Sequence, residues 1–522
     1  MKRIFALFLS ALLLATVLCG CGDATPETET TEGFGSDTTS SSGEPAMGGE
    51  LVVGISQDLG DSLDPYQMTA AGTREVLFNV YEGLVKPNAD GDYVAAVASD
   101  YSVSEDGLTY TFTLRDGVLF HNGDSVTVED VVYSYENCAA TTVEEALAAA
   151  LSHVQSVEAS GDNAIVIKLD VPNPDFLCYV AMVHIIPNGY ADCATAPIGT
   201  GPFQFVSRSV QESLVLEKFA DYWGDEAYLD QVTFKIYEDA NALMSALSAG
   251  SVDMAEHLTI DQVDSVAGDY TCLEGTMNLV QALYLNNAVE PFNNELVRQA
   301  MCYAINVDEI LDITAEGHGA KLGSSIYPAF AKYFDEALAD AYPYDVEKAK
   351  ELLAEAGYEK GFSMKITVPS NYTPHMNVAE VLVEQLRDVG IRAKLNPVEW
   401  DTWLSDTYIG RNFESTVIGF DAATLSAGAL LDRWMSDNET NMINYNNPDY
   451  DKLMAEANAC TDDAQQTELY RKAAKLLSDT AANVYIQDMA EFLLLRSDVE
   501  GYVFYPLYVM DLSTLHYVEG AV

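Results

Sequence analysis

Positive charge is scarce in this chain of 522 residues: 26 Lys and Arg stand against 81 Asp and Glu, a formal net charge of −55 at pH 7. Such a surface repels phosphate backbones, which argues against nucleic acid as a partner. A solvated acidic exterior accounts for the imbalance, and a preference for cationic ligands is its sharper reading. Paired metal-ligand spacings are missing too. The seven histidines, at 121, 153, 184, 257, 318, 375 and 516, stand singly with no HExxH pattern, and His121 beside Asn122-Gly123 reads as a turn residue. There is no GxSxG elbow, no Walker A sequence and no GxGxxG after a strand, so no nucleophile or cofactor motif announces an enzyme. No cofactor is expected. Beyond Cys21, cysteines occur at 138, 178, 193, 272, 302 and 460 without a CxxC pair. Cys178 and Cys193 are nearest in sequence, but spacing does not give connectivity, and buried free thiols are the default.

Long apolar runs are also few. Met1-Lys2-Arg3 and the run 4–18 have the layout of an export signal, too short to span a bilayer comfortably. Leu18-Cys19-Gly20-Cys21 resembles a bacterial lipobox, which implies cleavage after residue 20 and lipid on Cys21; an uncleaved anchor helix is the alternative. Residues 21–48 are rich in Thr, Ser, Glu, Gly and Pro and read as a disordered tether.

The remainder of the chain is globular. Hydrophobic residues make up 48% of the sequence, with 30 Tyr and 19 Phe, and the length predicts two or three domains. The most patterned stretch is 99–135. Leu108, Tyr110, Phe112 and Leu114 alternate with Thr109, Thr111 and Thr113, the mark of a half-buried strand. Glu105-Asp106-Gly107 supplies the turn from a preceding strand, and Thr127-x-x-Asp130 can cap a helix. The second half shows the helix and strand alternation of an α/β domain, with Asp345 capping a helix through Glu355, a strand at 363–368 and a helix ended by Gly390. In 295–305, Leu296, Val297, Ala300, Met301, Ala304 and Ile305 line one helix face, so Met301 and Cys302 need no cofactor role.

The segment SEDGLTYTFTLRDGVLFHNGDSVTVEDVVYSYE resembles the signature region of the family 5 extracellular solute-binding proteins, the peptide- and nickel-binding receptors of ATP-driven importers. The leading strand LVVGIS, Leu63-Asp64-Pro65, VLFNVYEGLVKPNADGDYV, Gly199-Thr200-Gly201-Pro202 and FNNELVRQAMCYAINVDEIL resemble the same family in order. The resemblance implies an α/β fold of the two-lobed periplasmic-binding-protein type (Venus flytrap, class II, cluster C) with an extra subdomain in the first lobe. It places the signal peptide at 1–20, the first lobe at 49–90, 195–285 and 490–522, the subdomain at 91–194, and the second lobe at 286–489.

By the same resemblance, Met68 and Thr69 lie near a ligand. Trp400 and Trp403, Phe420 and Asp421, and Gln487 with Asp488 are the other candidates, because aromatic area and polar groups must face the gap. For the tryptophans, core packing is an equal alternative, and Arg433-Trp434 reads as a surface pair. In peptide-binding members an aspartate after the family's Gly-Trp pairs with the ligand's α-amino group, usually followed by Asp-Pro. Here Gly419-Phe420-Asp421-Ala422-Ala423 has Asp421 two positions early and Ala423 at the expected place. A neutral, blocked or non-peptide ligand would suit that change, or Asp488 would substitute.

The expectation is a monomeric lipoprotein on the outer face of the cytoplasmic membrane. It captures a small ligand, a short peptide first, and delivers it to permease subunits. A chelated metal such as nickel, or a tethered extracellular hydrolase, are the alternatives.

Overall fold

In this computed structural model, residues 44–56, 59–68, 70–237, 239–422 and 424–518 are described. The export signal, Cys21 and most of the tether lie outside the described residues, as do Thr69 and Ala423.

Two large sheets carry the chain. The seven-stranded sheet runs, edge to edge, Tyr270–Thr276, Ala490–Arg496, Met254–Leu258, Glu50–Ile55, Gln231–Ile236, Ser213–Lys218 and Phe203–Ser209. The six-stranded sheet runs Ala320–Lys321, Asn483–Asp488, Leu279–Leu285, Ser415–Asp421, Ser363–Pro369 and Arg392–Val398. Each sheet is clad on both faces by its own core. Leu51, Val53, Leu214 and Phe234 pack on one face of the first and Leu243, Leu247 and Phe492 on the other. Leu283, Val297 and Leu382 pack on one face of the second, and Tyr284, Trp403, Trp434 and Tyr470 on the other. No hydrophobic cluster among the described residues draws on both sheets. The two bodies are therefore separate lobes, each with its own core.

The patterned stretch 99–135 folds as its alternation demands. Ala98–Val103 pairs antiparallel with Thr109–Leu114, which pairs in turn with Ala164–Leu169. Gly107 takes the turn at φ 68°, and Tyr110 and Phe112 are fully buried. Thr127 caps the Val128–Thr141 helix, and Asp130 returns the bond to the Thr127 N–H. Phe112, Ile165 and Phe176 belong to the same core as Leu51 and Phe234, so this piece is built onto the first lobe.

His121 does more than turn the chain. Its half-buried ring accepts the Gly199 N–H on Nδ1 at 3.2 Å and donates Nε2–H to the Gly201 carbonyl at 3.1 Å. Burial lowers its pKa to about 4, which keeps it neutral and able to do both. A Cβ on Gly199 would lie 2.1 Å from the Val80 carbonyl, and one on Gly201 2.3 Å from that of Asn79. The Gly-Thr-Gly-Pro turn is thus a close-packing device.

Several expectations need correction. The strand Leu279–Leu285, read as the end of the first lobe, pairs with Ser415–Asp421 and Asn483–Asp488 in the six-stranded sheet. Local pattern does not say which sheet a strand joins. At the end of the expected tether, Pro45 and Ala46 pair with Val518 and Tyr517. The cysteines, by contrast, keep their expected default: all six described are free, and Cys178 and Cys193 are both buried and unbonded. Among the described residues, no helix is long and apolar enough to cross a membrane.

Candidate functional site

The chain passes between the lobes twice, side by side. Tyr270–Thr276 leads through Met277-Asn278 into Leu279–Leu285, and Asn483–Asp488 leads through Met489 into Ala490–Arg496. The Met277 N–H donates to the Met489 carbonyl at 2.9 Å, which ties the two passages together. Gln487 and Asp488 sit in this hinge. The Gln487 Nε2 donates to Gln281 Oε1 at 2.8 Å, and Gln281 Nε2 donates to His375 Nδ1 at 2.7 Å. Asp488 is fully buried, accepts the Leu279 N–H at 3.0 Å, and is pushed up to about 7 by burial. Both residues hold the crossing strands in register, and neither lines the cleft cavity.

That cavity, with an enclosed space of about 40 Å³, opens at the hinge between the lobes. The first lobe contributes Glu75, Glu256, His257 and Glu491, the second Tyr327, Asp421 and Ala422, and the loop 502–509 brings Tyr502, Tyr505 and Tyr508. Glu75 is placed by the helix Ala71–Leu77, whose start is tied down where the Gly60 N–H donates to Thr73 Oγ1 at 2.7 Å. Met68, one turn earlier, is buried in the first-lobe core. Thr69 lies outside the described residues.

The electrostatics of the first-lobe wall centre on His257. Its Nε2 lies 2.9 Å from Glu75 Oε1, its Nδ1 meets the Glu491 carboxylate, and its ring stacks on Tyr508 at 4.6 Å. Burial lowers its pKa, but the hydrogen bonds to Glu491 and Glu75 outweigh this and push it up to about 11. Glu256 is raised well above the carboxylate range by burial and by the charge of Glu75. The wall still carries more carboxylate than cation, an environment that favours positive charge.

On the second lobe, the aromatic candidates separate. Trp403 is buried, with Nε1–H donated to Thr416 Oγ1 at 2.9 Å, so of its two readings core packing holds. Trp400 is half-buried and stacks on Trp403 at 5.2 Å. Phe420 is half-buried, edge-on to Tyr284 at 5.1 Å, with the Arg433 guanidinium over its ring at 4.1 Å. Asp421, at the end of the same strand, is exposed and lines the cavity. Read as a surface pair, Arg433 and Trp434 are instead drawn inward: Trp434 is fully buried, and Arg433 Nε and Nη1 are buried without a hydrogen-bond partner. The short helical turn Asp432–Trp434 folds back onto Phe420. Nothing in local pattern signals that return.

Two lobes of separate core, a double crossing and a polar cavity at the hinge are the parts of a ligand trap. Residues 92–442 match the bacterial extracellular solute-binding proteins, family 5 (middle), which is more than half of the chain. The chain belongs to that family. This solute-binding protein is 29% identical over 466 residues to heme-binding protein A of Haemophilus influenzae, covering 81% of this chain and 84% of that one. It is 26% identical to the oligopeptide-binding protein AppA of Bacillus subtilis over 97% of both chains. The crystal structure of CtaP, an ABC transporter substrate-binding protein of Listeria monocytogenes, superposes with a TM-score of 0.80 at 25% identity, covering 91% of this chain and 100% of that one. Family 5 membership makes this an extracellular solute-binding protein of the two-lobed type, with the four-stranded piece as the subdomain of its first lobe.

Proposed function

We propose that the protein captures a short peptide between its lobes and hands it intact to the permease subunits of an ABC importer. The observation that carries this reading is Asp421, exposed at a strand end and lining the cavity between the lobes. The ammonium group of a peptide bonds to Asp421 in a charge-assisted hydrogen bond that strengthens as the lobes close and exclude water. Arg433, over the ring of the preceding Phe420 with two buried donors unpartnered, does not line that cavity. Trp400 and Phe420, half-buried on the second lobe, do not line that cavity and would add aromatic area only to a ligand that extends beyond it. The Bacillus relative, named for oligopeptides, supports the same ligand class. In this reading Met68, Gln487 and Asp488 act through packing and the hinge rather than by touching ligand, and Cys21 carries the lipid that keeps the trap at the outer membrane face.

Isothermal titration with di- to pentapeptides tests the reading. D421N is expected to weaken a free-amine peptide by about 1.5–3 kcal/mol and to leave the N-acetylated form unchanged. Equal losses for both forms would remove Asp421 from amine recognition. Release of amino acids during the titration would favour a tethered hydrolase instead.

A further inference from the structure

The peptide reading makes no use of the most concentrated chemistry in the cleft. Glu256 and His257 are neighbours on the strand Met254–Leu258, and a regular strand would send them to opposite faces. The pairing with Ala490–Arg496 slips between Ala255 and Leu258, and His257 takes φ 59°, a left-handed conformation rare for a non-glycine residue. The irregularity brings both side chains to the cavity wall. There the donor atoms of Glu75, Glu256 and His257 lie within 4.8 Å of one another. Nε2 of His257 is 2.9 Å from Glu75 Oε1 and 3.9 Å from Glu256 Oε2. Glu256 is only 9% exposed, yet its Oε1 has no hydrogen-bond partner. Glu491 engages the other ring nitrogen, Nδ1.

We propose that Glu75, Glu256 and His257 form a binding site for a divalent transition-metal ion of the zinc class. In the metal-free chain His257 Nε2 hydrogen-bonds Glu75; the ion would take the place of that Nε2 proton, which leaves to solvent, while Nδ1–H stays donated to Glu491, the carboxylate–histidine–metal arrangement that orients and strengthens an imidazole ligand. Zinc takes imidazole nitrogen and carboxylate oxygen at about 2.0–2.2 Å, which places ligand atoms roughly 3–3.5 Å apart around the ion; the separations here, up to 4.8 Å, need side-chain shifts of about an ångström. One imidazole and two carboxylates, with no thiolate, select zinc, nickel or cobalt over copper(I), and the imidazole disfavours magnesium. Three protein ligands leave a coordination position toward the cavity, so a bound metal would meet whatever ligand the cleft holds. Glu491 is a positioning residue for the site. The site uses no residue assigned above to the peptide, so each reading stands or falls separately.

The test is isothermal titration of zinc chloride into the purified, chelator-dialysed chain with no peptide present. The expected result is one ion per chain, abolished by H257A and by E256Q. E491Q should weaken binding about 10–100-fold while X-ray absorption of the zinc-loaded variant keeps the imidazole nitrogen in the shell. X-ray absorption of the zinc-loaded wild type reads the ligand set even if a variant fails to fold, and should show one imidazole nitrogen with carboxylate oxygens. No binding by the wild type, unchanged binding in both H257A and E256Q, or a coordination shell without imidazole would overturn the proposal.

Discussion

Asp488 shows how a single side chain at a hinge acquires a cost and a task. Its carboxyl receives the Leu279 N–H across the two crossing strands, yet burial holds its pKa near 7, above the usual 3.8. The folded chain therefore keeps a proton that the unfolded chain has lost between roughly pH 4 and 7. Stability from this group is greatest below that window and falls as pH rises through it, by about 1.4 kcal/mol per unit. D488N retains an acceptor for Leu279 and has no charge to bury. Relative to wild type, the variant should gain stability steadily from pH 4 to pH 7 and no further above it, read as the difference in urea midpoints. A constant offset across that range would contradict the assignment.

At the scale of elements, the hairpin Ala98–Val103 with Thr109–Leu114 and the helix Val128–Thr141 are set by local rules. Thr127→Ala should cost about 1 kcal/mol of stability by removing the side-chain acceptor at the helix start, and Thr127→Ser should cost almost nothing, both measured by urea unfolding. Gly199→Ala is expected to be much worse, because its Cβ would collide with the Val80 carbonyl. Elements of this kind were legible in the sequence: alternation marked Ala164–Leu169, and Asp345 marked the start of the helix Val346–Glu355. The family, too, could be read from motif order. What was not legible depends on distant partners. Leu279–Leu285 joins the second sheet through pairing with residues more than a hundred positions away. Trp403 is core because Thr416 takes its indole N–H. His257 reaches the cleft only through a slip in strand pairing, and Glu75 and Glu491 were invisible among so many acids.

Across the whole molecule, separate cores permit motion and a few polar contacts between lobes bias it. Asp175, in the subdomain, accepts bonds from Ser426 Oγ at 2.7 Å and Tyr470 Oη at 3.2 Å of the second lobe, and the Leu425 N–H donates to Tyr93 Oη at 3.0 Å. Burial raises the pKa of Asp175, and the bonds from Ser426 and Tyr470 oppose that rise. Asp175→Ala should loosen this contact. It is expected to increase the radius of gyration of the ligand-free chain in small-angle X-ray scattering and to weaken peptide binding about tenfold, the equivalent of losing about 1.4 kcal/mol, although Asp175 does not line the cavity. An unchanged radius with unchanged affinity would show that the contact plays no part in closure. Capture of an intact short peptide by a two-lobed trap is put to its sharpest test by native mass spectrometry of the purified chain mixed with a short-peptide library. One peptide per chain is expected, bound unmodified and displaced only by other peptides. A chain that retains no peptide, or one that leaves cleaved products in the mixture, would contradict capture and intact delivery.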